Sequence, residues 1–331
     1  MASVAVLGAS GYAGAIAAML VHRHPFFELA HVTARSEAGA RLEDLHPRTR
    51  VPLELESWDP RAHARVDAAL VCWPHRVAAP AVAALRERGA RVVVLSADFR
   101  LRDRGVYEDW YGAHGAPELF GEGVYGLTEL NRDRIAAADL VANPGCYPTA
   151  TLLALAPLAR AGLIGDVVID AKSGVSGAGR EPTAATHFVS AHGNVTPYKV
   201  ERHRHTPEIE QELAGLGAPV AVTFTPHLVP LSQGELVSCY VTPAREYTED
   251  EVIGLYDGAY ADEPFVELRL GAPGVAEVRE TNYCRLSVHC DARTRRVLAF
   301  ASIDNLWKGA ASQAVQNLNA MFGRDEREGL A

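Results

Sequence analysis

Short apolar runs rich in β-branched residues alternate with longer segments of helical period through the first half of the chain. Residues 3–7, 29–33, 68–72, 91–95 and 140–142 read as strands, and residues 13–22 and 77–88 between them as helices. Apolar strands separated by helices predict a parallel sheet covered on both faces. The texture changes from Asp166 onward. Residues 167–169, 220–224, 236–241, 265–270, 283–289 and 297–303 predict strands of a second, mixed and largely antiparallel sheet. A closing helix starts near Trp307, with Ala310, Ala311, Ala314, Val315, Leu318 and Phe322 at helical spacing. The fold class is therefore α/β: a doubly wound parallel sheet joined to an α+β domain. The polar tail after Gly323 is expected to fray.

Composition narrows the partners. The 331 residues suffice for two domains with their own cores, and 48% hydrophobic with 22% charged residues is ordinary for a globular protein. A net charge of -9, from 32 basic and 41 acidic residues without a long run of either sign, argues against nucleic acid and anionic membranes. Cys72, Cys146, Cys239, Cys284 and Cys290 are odd in number and scattered, as reduced thiols of a cytoplasmic protein would be. The opening Val4-Ala5-Val6-Leu7 runs straight into a glycine turn and lacks the flanks of a secretory signal. No segment approaches the apolar length of a membrane span.

Gly8-Ala9-Ser10-Gly11-Tyr12-Ala13-Gly14 follows the first strand and opens the first helix. That is the context of a dinucleotide-binding loop, where glycines let backbone N–H groups approach a pyrophosphate at a helix N-terminus. An NAD-preferring site would place an acid at the end of the second strand. The chain has Thr33-Ala34-Arg35-Ser36 there, a guanidinium and a hydroxyl suited to a 2′-phosphate, so the cofactor is expected to be NADP(H). Glu37 is the alternative, an acid one position further on.

The most chemically loaded stretch is Asn143-Pro144-Gly145-Cys146-Tyr147-Pro148, where an apolar strand ends and a helix begins. Unpaired N–H groups and partial positive charge at a helix N-terminus favour a thiolate, and Pro148 fits the first turn. Free cysteines are more often inert core residues, but this context marks Cys146 as a reactive candidate. A partner is offered by His203-Arg204-His205-Thr206-Pro207-Glu208, read as a loop entering a helix capped by Thr206. His205 adjoins that cap and is preferred over His203 as acid and base. The His-x-His spacing lacks a completing ligand set, so no metal is expected.

Two further loops are candidates. Ser173 to Arg180 is rich in small residues that admit a ligand to the backbone, with Ser176 and Gly177 expected against the cofactor and Arg180 against a phosphate or carboxylate. Asp304-Asn305 begins another strand-to-helix entry, where Asn305 offers an amide for a carboxamide or simply caps the helix.

Taken in order, Gly8 to Gly14, Leu95 to Arg100, Tyr125 to Glu129, Asn143 to Thr149, Ser173 to Arg180, His203 to Ile209, Phe224 to Leu228 and Asp304 to Ala311 make the chain closely similar to the N-acetyl-gamma-glutamyl-phosphate reductase family, relatives of aspartate-semialdehyde dehydrogenase. The resemblance spans nearly the whole length. It implies a Rossmann domain from residues 1–147 and 300–331 and a catalytic and oligomerisation domain from 148–299. It also implies that Cys146 is the nucleophile, that His205 is the acid/base, that Gly11 to Gly14 hold the pyrophosphate and that Asn305 lies beside the nicotinamide. Arg180, His203 and Arg204 are the expected contacts to an N-acetylglutamyl 5-phosphate substrate, and a homo-oligomer, dimer or tetramer, is implied. Tyr147-Pro148-Thr149 favours the acetylglutamyl branch over relatives that reduce a carrier-bound aminoadipyl phosphate. Thr128 departs from the proline many relatives carry, which predicts a looser loop there. A non-catalytic NADP-sensing protein is the reading of another class.

Overall fold

The computed structural model describes residues 1–63 and 65–330, which form two compact units: Met1–Gly145 with Ala310–Ala331, and Cys146–Gly309. In the first unit, β1 (Ala2–Leu7), β2 (Phe27–Ala34), β3 (Glu56–Ser57), β4 (Ala68–Val71), β5 (Arg91–Val94), β6 (Val124–Tyr125) and β7 (Leu140–Ala142) form one sheet in the order β3-β2-β1-β4-β5-β7-β6. Every pairing in it is parallel. The alanines and valines of β1, β4 and β5 are almost wholly buried, as a sheet covered on both faces requires. The strand order reverses between β1 and β4, and in such sheets ligands bind beyond the strand ends at that reversal.

The last helix, Ser312–Met321, joins this unit and binds it with polar side chains. Gln313 and Asn317 both donate to the Gly126 carbonyl, at 3.2 and 2.8 Å, and Asn317 also donates to Asn143 Oδ1 at 3.0 Å. Thr128 corrects the expectation of a loose loop. Its buried hydroxyl donates to Asn317 Oδ1 and accepts from Gln313 Nε2, both at 2.8 Å, a tie that proline has no atom to make. The tail after Gly323 is likewise held. Asn319 donates to the carbonyls of Glu326 and Glu328, the ring of His24 bonds the Glu328 carbonyl at 2.9 Å, and the Arg324 guanidinium sits 4.6 Å from the Phe26 ring centre.

In the second unit the order is β12-β13-β14-β11-β8-β10-β9, with β8 (Ile164–Gly174), β9 (Thr196–Pro197), β10 (Val222–Val229), β11 (Glu235–Pro243), β12 (Val266–Leu268), β13 (Cys284–Asp291) and β14 (Arg296–Ile303). The central pairs β13/β14, β14/β11 and β11/β8 are antiparallel, while β8/β10 and β12/β13 are parallel. Residues 300–309, expected with the first domain, belong here because β14 pairs along its length with β11 and β13. Helix Cys146–Arg160 packs on this sheet, buried from Tyr147 to Ala159. Pro157 within it lacks the N–H that would bond the Leu153 carbonyl, and the Tyr260 hydroxyl donates to that carbonyl instead at 2.5 Å.

Candidate active site

The glycine loop stands where the strand order reverses. Gly8 has φ +87°, and a Cβ on it would lie 2.7 Å from Trp73 Cδ1, just beyond β4. A Cβ on Gly14 would lie 2.1 Å from the Gly8 carbonyl oxygen, so the first helix can approach the loop only without a side chain there. Helix Tyr12–His22 begins after Gly11 with no side-chain cap, leaving its first N–H groups to a ligand, and Ser10 is fixed through its carbonyl by the His46 ring at 2.9 Å. Gly11, Tyr12 and Ala13 are all solvent-accessible. These features fit a dinucleotide pyrophosphate. Arg35 and Ser36 are exposed just past β2, with the Ser36 hydroxyl donating to the Glu37 carboxylate at 2.7 Å.

In the second unit Cys146 is the first residue of its helix and is partly exposed, whereas Cys239 and Cys284 are buried. Gly309 lies against it: a Cβ there would stand 2.7 Å from Cys146 Cβ. This close approach follows from a π-helical turn, Trp307–Ala311, in which the Gly309 N–H bonds the Asp304 carbonyl at 2.9 Å. Asp304, rather than Asn305, caps that turn, its Oδ1 accepting from the N–H groups of Leu306 and Trp307 at 2.9 and 3.3 Å. Asn305 instead accepts from the Gly234 N–H at 2.7 Å and donates to Ser176 Oγ at 3.1 Å, and Gly177 lies close to the same amide. Ser176, Gly177 and Asn305 are thus brought together. Their loop is pinned by the N–H groups of Val175 and Ser176, which bond the carbonyls of Leu231 and Ser232.

Rings gather around Tyr147, the residue after the cysteine. His203 and His205 meet its ring edge-on, at 5.7 and 5.9 Å, and lie 4.8 Å from one another. The Tyr198 hydroxyl donates to that of Tyr147 at 3.2 Å. The helix after His205 begins at Thr206 with His205 itself as the N-cap residue, which corrects the expected Thr206 cap. His203 accepts the His205 backbone N–H on Nδ1 at 3.2 Å. Burial, helped by the neighbouring His205, Lys199 and Arg204, pushes its pKa down to about 2, so His203 is a neutral acceptor at working pH.

A cavity of about 580 Å³ is lined by Gly177, Tyr198, Lys199, His203 and Arg204 among others. Arg180 does not line it. Lys199 was not singled out by sequence, and neither was Glu235, the wholly buried first residue of β11, neither of whose carboxyl oxygens has a hydrogen-bond partner among the described residues. Among the described residues, the group with spacing suited to a metal is His31, Glu56 and His63, in the first unit. There His63 Nδ1 accepts the Asp59 N–H, which leaves the ring proton on Nε2, facing Glu56.

Residues 3–138 match the NAD binding domain of semialdehyde dehydrogenases and residues 146–305 their dimerisation domain. The chain is 47% identical to the N-acetyl-gamma-glutamyl-phosphate reductase of Desulforudis audaxviator, covering 100% of this chain and 98% of that one. It is 48% identical, with the same coverage, to the enzyme of that name from Halorhodospira halophila. Among solved structures, aspartate semialdehyde dehydrogenase II of Vibrio cholerae shares the fold at a TM-score of 0.75 and 18% identity over 98% of both chains. Candida albicans aspartate semialdehyde dehydrogenase, solved with NADP, gives a TM-score of 0.68 and 15% identity, covering 97% of this chain and 98% of that one.

Proposed function

This chain belongs to the N-acetyl-gamma-glutamyl-phosphate reductase family, within the semialdehyde dehydrogenases, and from that membership we propose that it reduces N-acetyl-L-glutamyl 5-phosphate with NADPH to N-acetyl-L-glutamate 5-semialdehyde and phosphate, through a thioester on Cys146. The observation that carries this reading is the position of Cys146: a partly exposed thiol opening an otherwise buried helix, with two histidines on the ring of the next residue. A helix N-terminus favours the thiolate, the form that attacks an acyl phosphate.

Attack by Sγ forms the S–C bond and releases phosphate. When bound, NADPH supplies the hydride that takes the thioester to the thiohemiacetal level, and its pyrophosphate would be held at Gly8 to Gly14. His205 holds and returns the proton of the substrate oxygen, while His203, kept neutral, fixes the His205 backbone. Arg204 and Lys199, in the cavity wall, are the cations for the substrate's anionic groups. Asn305 is the amide assigned to the nicotinamide carboxamide. No described helix is long and apolar enough to cross a membrane; a homo-oligomer acting in the cytoplasm completes the proposal.

The test is Cys146→Ser, assayed in reverse as phosphate-dependent oxidation of the aldehyde. Activity should fall by on the order of 1000-fold or more while NADP binding is retained. A variant with full activity refutes the covalent step. Free N-acetylglutamate semialdehyde should be oxidised in preference to a carrier-linked aminoadipyl analogue; the reverse preference would move the protein to the lysine-type relatives.

A further inference from the structure

Between β2 and β3 the chain makes a flap, residues 35–55, that reaches the glycine loop. Its two arms bond one another: the Gly39 N–H donates to the Leu55 carbonyl and the Leu55 N–H to that of Ala40, both at 2.8 Å, and the Leu42 N–H donates to the Leu53 carbonyl at 2.9 Å. Leu42, Val51 and Leu55 are buried beneath it, so the flap is a packed element with a fixed shape. At its far turn the His46 carbonyl accepts from the N–H and the hydroxyl of Thr49, at 2.9 and 2.8 Å. That anchors the backbone from which the imidazole crosses to Ser10.

The crossing joins one donor to one acceptor. A carbonyl oxygen only accepts, so the 2.9 Å bond to Ser10 puts the ring proton on His46 Nε2. The Tyr12 ring meets the imidazole edge-on, with centroids 6.3 Å apart. On the other side of the same peptide, the Gly11 N–H donates to the Gly8 carbonyl at 3.1 Å. The Ser10–Gly11 peptide is thereby held at both ends. The next three N–H groups, of Tyr12, Ala13 and Gly14, find no backbone acceptor among the described residues, which is the state of a helix N-terminus open to an anion. A peptide released from His46 is free to turn and present the partial negative charge of its oxygen to that anion.

We propose that His46 is a positioning residue of the cofactor site: its Nε2–H holds the Ser10 carbonyl and so keeps the glycine loop in the form that offers its N–H groups to a pyrophosphate. This rests on the reading of Gly8 to Gly14 as the pyrophosphate cradle. His46 acts through Ser10 and through no reacting atom, so it governs cofactor affinity and leaves the chemical step alone. NADP and NAD carry the same pyrophosphate, so it serves both alike. Arg35, at the start of the same flap, is assigned to the 2′-phosphate that only one of them carries.

The experiment measures the dissociation constants of NADP, NAD and 2′-AMP by calorimetry on the whole chain in the wild type, H46L and H46Q, with kcat at saturating NADPH alongside. H46L removes the donor, and H46Q keeps a side-chain N–H. H46L should weaken NADP and NAD by the same factor, on the order of 10-fold, and leave kcat and the affinity for 2′-AMP, which has no pyrophosphate, at wild-type values. H46Q should recover most of the loss. Wild-type affinity for NADP in H46L overturns the proposal. So does an equal loss toward 2′-AMP, which would mark a general structural defect, or a fall in kcat with cofactor affinity intact. Failure of the cradle reading looks different: NADP would leave hydrogen exchange in residues 8–14 of the wild type unchanged.

Discussion

Gly309 stands so close to Cys146 that a methyl group on it would lie 2.7 Å from the cysteine Cβ. Real Cβ pairs do not approach so near, and the remaining neighbours are backbone, so Gly309→Ala must move the cysteine or the turn that carries residue 309. The expected result is a fall in kcat on the order of 10- to 100-fold, as for a reacting atom displaced by a fraction of an ångström. NADP binding should be unchanged. Wild-type kcat in this variant would show that the cysteine tolerates the displacement.

Stability should depend on pH through two buried groups of the second unit. The folded-state pKa of His203, about 2, lies below its ordinary 6.5, so the stability gained from burying the neutral ring is present above 6.5 and lost as pH falls from there toward 2. Glu235 acts in the other direction. Its folded value of about 8 exceeds the ordinary 4.5, so the unfolded chain releases the proton first and stability declines as pH rises from 4.5 to 8. Between pH 6.5 and 8 the Glu235 effect stands alone of the two, and denaturant midpoints should show a loss of up to about 2 kcal/mol in the wild type that E235Q lacks. Parallel slopes for the two proteins would contradict this.

Removing the Tyr260 hydroxyl leaves the Leu153 carbonyl, already deprived of its helical donor by Pro157, buried and unbonded. Tyr260→Phe should destabilise the protein by about 1–3 kcal/mol. In the double variant Pro157→Ala with Tyr260→Phe, an N–H is restored and the penalty should shrink. Equal penalties in both backgrounds would rule out the compensation.

Arg35 is the exposed cation at the end of β2, beside a Ser36 hydroxyl that donates to Glu37. With a 2′-phosphate on the ribose, Arg35→Ala should raise the KM for NADPH by roughly 10- to 100-fold and change that for NADH little. A uniform loss with both cofactors would place the guanidinium elsewhere in the binding reaction.

Much of this architecture could be read along the chain because its signals are local. Glycine at positions 8 and 14 and a cysteine four residues past a strand depend on nearest neighbours, and the longer strands of both sheets follow from short-range patterning. Glu235 could not be found that way. As a lone acid at a strand edge it looks solvent-facing, and its burial arises only once β11 is registered between β8 and β14, strands more than sixty residues away in either direction. Asn305 reads along the chain either as a cap or as a free amide for a related reason: the π turn that gives the cap to Asp304 and frees Asn305 for Gly234 is a tertiary outcome. Thr128 and the C-terminal tail were misjudged because their partners, Gln313, Asn317 and Asn319, lie on a helix remote from Thr128, and polar side chains facing inward leave no periodic trace.

The discontinuity of the first unit shapes how a nascent chain can acquire it. Gly126, Thr128 and Asn143 take bonds from Gln313 or Asn317, which are synthesised only after the whole of the second unit. The continuous stretch from Cys146 to Gly309 has all of its strands earlier, so it is the part able to mature first, and the nucleotide-binding sheet waits on the helix Ser312–Met321. A premature stop before Ser312 would therefore strike the sheet made first and leave the one made second intact.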